Sequence, residues 1–151
     1  MGETAVVLRP LTVAVIVPVY NGGATFRASL DSIRRAVPPP DELIVVGDGD
    51  TDGSSQYAEA ACISVYRFPT PGGPGRARNL GASNAKSDIL FFVDADVTVP
   101  ESTIRLVKKN FAQHAEVAAV IGSYDDQPGE DRKSTRLNSS HIQKSRMPSS
   151  A

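Results

Sequence analysis

The sequence of 151 residues contains no tryptophan and a single cysteine, Cys62. One cysteine cannot form a disulfide within the chain, which excludes a disulfide-stabilised scaffold and favours a reducing compartment. The longest nearly apolar run, Val13 to Tyr20, is far shorter than the roughly 20 residues that span a bilayer. The N-terminus also lacks the basic start and apolar core of a secretory signal. These absences predict a cytoplasmic protein, either free or at the inner face of a membrane.

Hydrophobic residues make up 40% of the chain and charged residues 22%, which is the composition of one globular domain. The net charge of −1 conceals a basic C-terminal segment, residues 131–151, in an otherwise acidic chain. This segment has no aromatic residue, no glycine and no apolar period, so its composition does not favour a nucleic-acid-binding arm. It predicts a disordered tail, and no nucleic-acid partner is expected.

The same tail resembles a laboratory sequence. Asp131–His141 and Ser145–Ala151 resemble, in the right order, one reading frame of a common short-read sequencing adapter. We interpret residues 131–151 as an artefactual tail, so that the natural sequence ends near Glu130. The predicted organisation is an N-terminal extension over residues 1–11, an incomplete domain over residues 12–130, and this tail.

Short β-branched runs alternate with helix-compatible stretches through residues 12–130. Strands are predicted at Thr12–Pro18, Leu43–Val46, Ile63–Phe68, Ile89–Val93 and Val117–Ile121. Helices are predicted at Ala24–Ala36, Ser54–Ala61, Arg76–Ala85 and Ser102–Phe111. The alternation predicts an α/β fold with an open, mostly parallel sheet and helices on both faces.

Three polar loops follow predicted strands, at residues 18–23, 47–53 and 94–96. Parallel strands end at one edge of the sheet, and α/β sheets bind their ligands there. Asp94 and Asp96, two positions apart, can project from the same side of a strand end. Two carboxylates suit Mg²⁺ or Mn²⁺, which also bind substrate phosphates. These two residues are therefore a candidate metal site.

Two other interpretations of the acidic loops match a sequence pattern but conflict with the elements around it. Asp94–Thr98 matches the DxDx[TV] nucleophile loop of haloacid-dehalogenase-like phosphatases, in which Asp94 would form an aspartyl-phosphate. That loop follows the first strand of its fold, whereas three strand–helix units precede Asp94. Asp48–Glu59 satisfies the EF-hand loop pattern, but a predicted strand precedes it where an EF-hand needs a helix.

The stretch Pro71–Gly81 is glycine-rich and opens a helix, as phosphate-binding loops do. It lacks both Gly-Lys-Ser/Thr and a complete G-x-G-x-x-G pattern, so neither a P-loop nor a dinucleotide site is supported. Arg76 and Arg78 carry guanidinium groups that suit a diphosphate. We expect at least one of the two arginines to be a solvated surface residue without a binding role, and we expect that residue to be Arg76.

Taken in order, four motifs resemble the nucleotide-sugar half of family 2 glycosyltransferases, which have the GT-A fold. The motifs are Val17–Asn21, Val45–Ser54, Ala77–Gly81 and Phe92–Asp96, and the resemblance covers about residues 12 to 124. It implies a Rossmann-like donor-binding sheet, a UDP- or GDP-linked sugar donor and a divalent cation, Mg²⁺ or Mn²⁺. The acceptor, which could be a glycan, a lipid or a protein, is not implied.

The resemblance also implies roles for individual residues. The residues that it places at the nucleoside pocket are Pro18, Val19, Tyr20, Asn21 and Asp48. It places Arg78 beside that pocket. Asp94 and Asp96 correspond to the DxD pair that holds the ribose and the metal-bound diphosphate.

The chain departs from the family at the second motif. Family members often read Asp-Asp-Gly-Ser there, whereas this chain has Gly47 in place of the first acid and Asp50 in place of the serine. The resemblance therefore says less about how the residues of the second motif contact the base or the ribose than it says about the roles of the other motifs.

The resemblance implies an inverting displacement, in which a base deprotonates an acceptor hydroxyl that attacks the anomeric carbon. The family places this base in its acceptor half, so we expect it beyond Glu130 and assign no catalytic residue before that point. The intact protein is then a glycosyltransferase, and the 151-residue chain is an inactive donor-binding part of it. The alternative is a non-catalytic nucleotide-binding fragment.

Overall fold

The computed structural model describes residues 9–124 and 135–146. Its parallel sheet contains four strands, β1 (Val13–Val19), β2 (Glu42–Asp48), β3 (Ser64–Phe68) and β4 (Ile89–Phe92), in the order β3-β2-β1-β4. The strands are connected by α1 (Gly23–Arg34), α2 (Ser54–Ala60) and α3 (Pro74–Asn84). The predicted α/β, Rossmann-like fold is confirmed, and most predicted helix and strand boundaries lie within one or two residues of the observed ones.

The central strand is β1, which pairs in parallel with β2 on one side and β4 on the other. All seven of its residues are buried. Its sequence, Val-Ala-Val-Ile-Val-Pro-Val, suits this position because a strand covered on both faces needs apolar side chains on both.

Alternate side chains of β1 belong to two different hydrophobic cores. Val15 and Val17 pack with Phe26 of α1 in the first core. Ile16 packs with Ala77 and other residues of α3 in the second. At Gly81 the helix lies so close to the sheet that a Cβ would come within 2.5 Å of Ile16 Cγ2.

The order of the strands creates a crevice between β1 and β4. The chain builds β2 and β3 on one side of β1, then returns through α3 to place β4 on the other side. Ligands of doubly wound sheets bind at such a switch point, outside the carboxyl ends of the strands. All three polar loops follow strands at this edge.

The remaining elements are β5 (Val97–Thr98), α4 (Thr103–Gln113), β6 (Val117–Tyr124) and β7 (Thr135–Arg146). The fifth predicted strand is present as β6, but it pairs antiparallel with β7 in a second sheet, and β7 also pairs with β5. The prediction of a disordered tail over residues 131–151 differs from the structure at residues 135–146, which form β7, and its remaining residues lie outside the described part of the chain. The physical reason is that an open strand edge pairs through backbone groups, which requires no apolar side chains.

The predicted end of the natural sequence near Glu130 lies outside the described residues, as do residues 1–8. Arg9, in the predicted N-terminal extension, donates to both oxygens of Asp88, at 2.6 and 2.9 Å, just before β4. Within the described part of the chain, no helix has both the length and the apolar character required to cross a bilayer.

Candidate functional site

Asp48 ends β2 and is only 4% exposed. Its two oxygens accept hydrogen bonds from the backbone N–H groups of Gly72, at 3.0 and 3.1 Å, and Gly73, at 2.7 Å, and from the Arg76 guanidinium at 2.9 Å. Burial acts to raise the pKa of Asp48, but these hydrogen bonds outweigh it and hold the pKa below its ordinary value. A carboxylate offers about four acceptor positions, and these contacts use them. Asp48 is thus an anchor for the loop between β3 and α3.

Arg76 lies against the same loop. Besides its ion pair with Asp48, it donates to the carbonyl of Thr70, and its guanidinium carbon lies 3.8 Å from the centroid of the Phe68 ring. A cation over an aromatic face is attracted by the ring's quadrupole. Arg76 is a surface residue, as expected, with its side chain 39% exposed, but three partners hold its guanidinium beside Asp48.

A cavity of about 200 Å³ opens beside Asp48. Its lining consists of Pro18, Val19, Tyr20, Asp48, Pro71, Gly73 and Pro74. The structure thus brings four of the predicted nucleoside-site residues to one cavity, although they come from the ends of two different strands, β1 and β2. The fifth, Asn21, is not part of the lining.

Asn21 instead connects the first two loops. Its Oδ1 accepts a hydrogen bond of 2.8 Å from the backbone N–H of Thr51, and its φ of 49° lies in the left-handed region, which asparagine tolerates better than most residues. The side chain therefore fixes the loop after β1 to the loop after β2 at the edge of the cavity.

The other acids of the second loop bind protein donors. Asp50 accepts from the backbone N–H of Ser55 at 3.0 Å and from its hydroxyl at 2.5 Å. Asp52 accepts from the N–H of Ser54 at 3.0 Å and stabilises the start of α2. Glu59, at the last EF-hand ligand position, pairs with Arg67 at 2.8 Å. Together with the strand that precedes the loop, these contacts exclude the EF-hand interpretation.

The two departures from the family motif are linked in space. A Cβ at Gly47 would overlap the carboxylate of Asp50 and the hydroxyl of Ser55. The missing side chain at position 47 leaves the volume that the Asp50 carboxylate occupies. The two differences are complementary, and the hydrogen bonds to Ser55 show how the altered loop remains ordered.

The carboxylates after β4 lie in a different environment. The Asp94 side chain is 45% exposed, and its Oδ1 accepts a hydrogen bond of 2.5 Å from Arg78 of α3. Asp96 is exposed, and its side chain has no partner among the described residues. The described residues also contain no group of three or more His, Cys, Asp or Glu side chains placed to hold a metal ion. The described residues that follow β4 at this strand end, 93–97, contain two carboxylates, those of Asp94 and Asp96.

Two apolar cavities flank β4. The larger, of about 400 Å³, lies between β4, α4 and β6 and contains a single acid, Asp88. The other, of about 250 Å³, includes Asp94 among mainly apolar residues. Neither brings together several polar groups, so the candidate chemistry remains at the crevice between Asp48 and Asp94.

Comparison with known proteins identifies the family. Residues 14–150 match the family model for glycosyl transferase family 2. The chain belongs to this family. This membership confirms the resemblance of the four motifs and leaves the phosphatase interpretation of Asp94 without support. Among curated relatives, glycosyltransferase GlyG of Streptococcus pneumoniae is 31% identical over 117 residues, which cover 74% of this chain and 38% of GlyG. The chain therefore spans well under half the length of that relative.

Solved structures of glycosyltransferases have the same fold. The chain is 28% identical to Staphylococcus aureus TarS 1-349 in complex with UDP, with a TM-score of 0.65 over 70% of this chain and 33% of that one. It is 26% identical to the mannosyltransferase PcManGT from Pyrobaculum calidifontis in complex with GDP-Man and Mn²⁺, with a TM-score of 0.66 over 82% of this chain and 38% of that one. The described part of the chain thus has the GT-A architecture.

Proposed function

We propose that this chain is the donor-binding part of a glycosyltransferase and that it binds a UDP- or GDP-linked sugar together with a divalent cation. The observation that carries the proposal is the arrangement of the crevice, in which a cavity beside Asp48 and the carboxylates Asp94 and Asp96 lie at one edge of the sheet. Membership of family 2 supports the reaction class. The UDP and GDP-Man bound to TarS and PcManGT support the donor class.

In this proposal the nucleoside occupies the cavity of about 200 Å³. Pro18, Val19 and Tyr20 form one wall, and the loop held by Asp48 forms another. Asp48 acts mainly by fixing the Gly72–Gly73 backbone, since its own acceptor positions are already used. Asn21 contributes by holding two of the surrounding loops together.

The donor set after β4 fits Mg²⁺ or Mn²⁺. Asp94 and Asp96 supply hard carboxylate oxygens, and the cation's other positions would go to phosphate oxygens and water. When bound, such a cation neutralises the diphosphate and stabilises its departure. The Mn²⁺ in the PcManGT complex supports this cation class. Arg78, at Asp94, is close enough to this strand end to contact the same phosphates.

The proposed reaction is an inverting transfer of the sugar to an acceptor hydroxyl on a glycan, a lipid or a protein, either free in the cytoplasm or at the inner face of a membrane. We place the general base and the acceptor site in the acceptor half of the family, beyond Glu130. The chain alone is then expected to bind donor without transferring sugar, because a missing base alone costs roughly 10²–10⁴ in rate. The non-catalytic alternative differs in one respect, since it would remain inactive even when joined to a complete acceptor domain.

Titration calorimetry with UDP and GDP tests the binding proposal. The chain should bind one of them at least about tenfold more tightly with Mn²⁺ than with a chelator, and Asp96→Ala should lose most of that difference. Glu101→Gln, which removes an exposed acid elsewhere, is the matched control and should bind as the parent does. Equal affinity with Mn²⁺ and with chelator would refute the role proposed for the carboxylates.

A further inference from the structure

Two arginines of α3 lie two residues apart but are held very differently. Arg76 has three partners, the Asp48 carboxylate, the Thr70 carbonyl and the Phe68 ring. Arg78 has one partner among the described residues, Asp94. The Arg78 side chain is 35% exposed and the Asp94 side chain 45%. Arg76 is therefore fixed by the fold, whereas Arg78 can leave its partner by breaking a single contact.

The contact with Arg78 matters because Asp94 belongs to the proposed cation site. In the structure the guanidinium already neutralises Asp94 and bonds to Oδ1 at 2.5 Å. A divalent cation that arrives alone must compete with this positive group for the carboxylate. Asp96, by contrast, has no counterion among the described residues. A cation that arrives alone can therefore reach Asp96 without displacing a charged side chain.

A diphosphate changes this competition. Its oxygens can accept two parallel hydrogen bonds from a guanidinium, which carries five donors in a planar fork. Once Arg78 bonds to phosphate, Asp94 is released, and Asp94 and Asp96 would together be available to hold the cation.

We infer that Arg78 is an internal counterion of Asp94 that makes cation binding depend on the nucleotide. The inference rests on the proposed function and adds a role for one positioning residue. By linkage, the nucleotide raises the affinity for the cation and the cation raises the affinity for the nucleotide by the same factor.

A purely structural role for this ion pair is less well supported. Exposed ion pairs contribute little to stability. The helix is already attached to the sheet through the packing of Ala77 and Leu80 on Ile16 and through the close approach at Gly81. Removal of the Arg78 charge should therefore change ligand binding much more than folding.

The test is to measure Mn²⁺ binding to the chain by electron paramagnetic resonance of the free ion, with and without saturating UDP or GDP, after subtracting the Mn²⁺ that the same nucleotide binds in the absence of the chain. In the parent chain the nucleotide should tighten Mn²⁺ binding by about tenfold or more. In Arg78→Gln, Mn²⁺ alone should bind about threefold tighter than to the parent, and the coupling to nucleotide should be at least about threefold smaller than in the parent. Arg105→Gln removes an exposed arginine of α4 and should preserve the parent coupling.

The outcomes separate this inference from the proposed function. A parent chain that binds Mn²⁺ equally well with and without nucleotide contradicts both. A coupled parent with equal coupling in Arg78→Gln contradicts the role of Arg78 alone. If circular dichroism shows that Arg78→Gln is unfolded, Arg78→Lys becomes the deciding variant. Lysine keeps the charge without the fork, so coupling should fall at least about twofold, and unchanged coupling would overturn the inference.

Discussion

The two acidic corners of the crevice differ in how their charge is satisfied. Asp48 is buried, and backbone N–H groups and Arg76 use its acceptor positions. Asp94 and Asp96 are much more exposed, and a single arginine is their only described partner. The same residue type thus serves in one place as a structural anchor and in the other as a group that can still accept a ligand.

This difference indicates which parts of the site are formed before ligand arrives. A buried carboxylate persists only when it is paired and hydrogen-bonded, so the Asp48 corner has one stable arrangement. An exposed carboxylate has no such requirement and is free to exchange partners. We therefore expect substitutions at the first corner to change stability and substitutions at the second to change ligand binding.

The largest effect is expected for Asp48→Ala. It removes the acceptor of two backbone N–H groups and of Arg76, and leaving such donors unpaired should lower the free energy of unfolding by about 2 to 3 kcal/mol. Urea denaturation measures the change. Asp96→Ala is the matched control from the other corner and should change stability by less than about 0.5 kcal/mol. Similar losses for the two variants would remove the contrast between the corners.

A smaller effect is expected for Gly47→Ala, since the added methyl group would overlap Asp50 and Ser55. Overpacking of this kind typically costs about 1 to 2 kcal/mol. Asp50→Ser in the same chain should recover part of the loss, because it empties the volume that the methyl group needs. A double-mutant cycle in urea gives the coupling, and strictly additive effects would show that positions 47 and 50 are independent.

The dependence of stability on pH should be the smallest of the three effects. Burial alone would raise the pKa values of Asp48 and Asp52, yet hydrogen bonds lower both below their ordinary values. A lowered pKa stabilises the fold above the unfolded value, and that stability is lost as pH falls through the folded value. The free energy of unfolding should thus decrease on acidification below about pH 4. The decrease should be shallower in Asp48→Asn, and an identical profile would mean that Asp48 does not contribute.

The sequence predicted the elements of the parallel sheet and its helices well. The runs that became β1 and β2 are apolar because both faces of these inner strands are covered, and this local signal can be read without the fold. The edge strands β3 and β4 are partly exposed, and their β-branched and aromatic residues gave the signal instead. β5 was not predicted because two residues, Val97 and Thr98, are too short to form a pattern. β7 was not predicted because its pairing uses the backbone of a neighbouring strand rather than a signal in its own side chains.

The candidate site was predicted less completely. The family motifs identified Asp48, Asp94 and Asp96, but the role of Arg76 depends on contacts with Phe68 and with Asp48, 28 positions away. Sequence periodicity contains no information about such contacts. Two residues that match one motif can likewise do different work, as Tyr20 lines the cavity while Asn21 connects two loops.

The most direct test of the contrast between the corners is paramagnetic line broadening in amide NMR spectra of the labelled chain. With Mn²⁺ and UDP or GDP together, the amides of residues 94–97 should be strongly broadened. With Mn²⁺ alone the broadening there should be weak. The amides of Gly72 and Gly73 should be equally protected from hydrogen exchange with and without nucleotide, because Asp48 already accepts their hydrogen bonds. Broadening centred elsewhere, or protection of Gly72 and Gly73 that arises only with nucleotide, would contradict the contrast between the two corners.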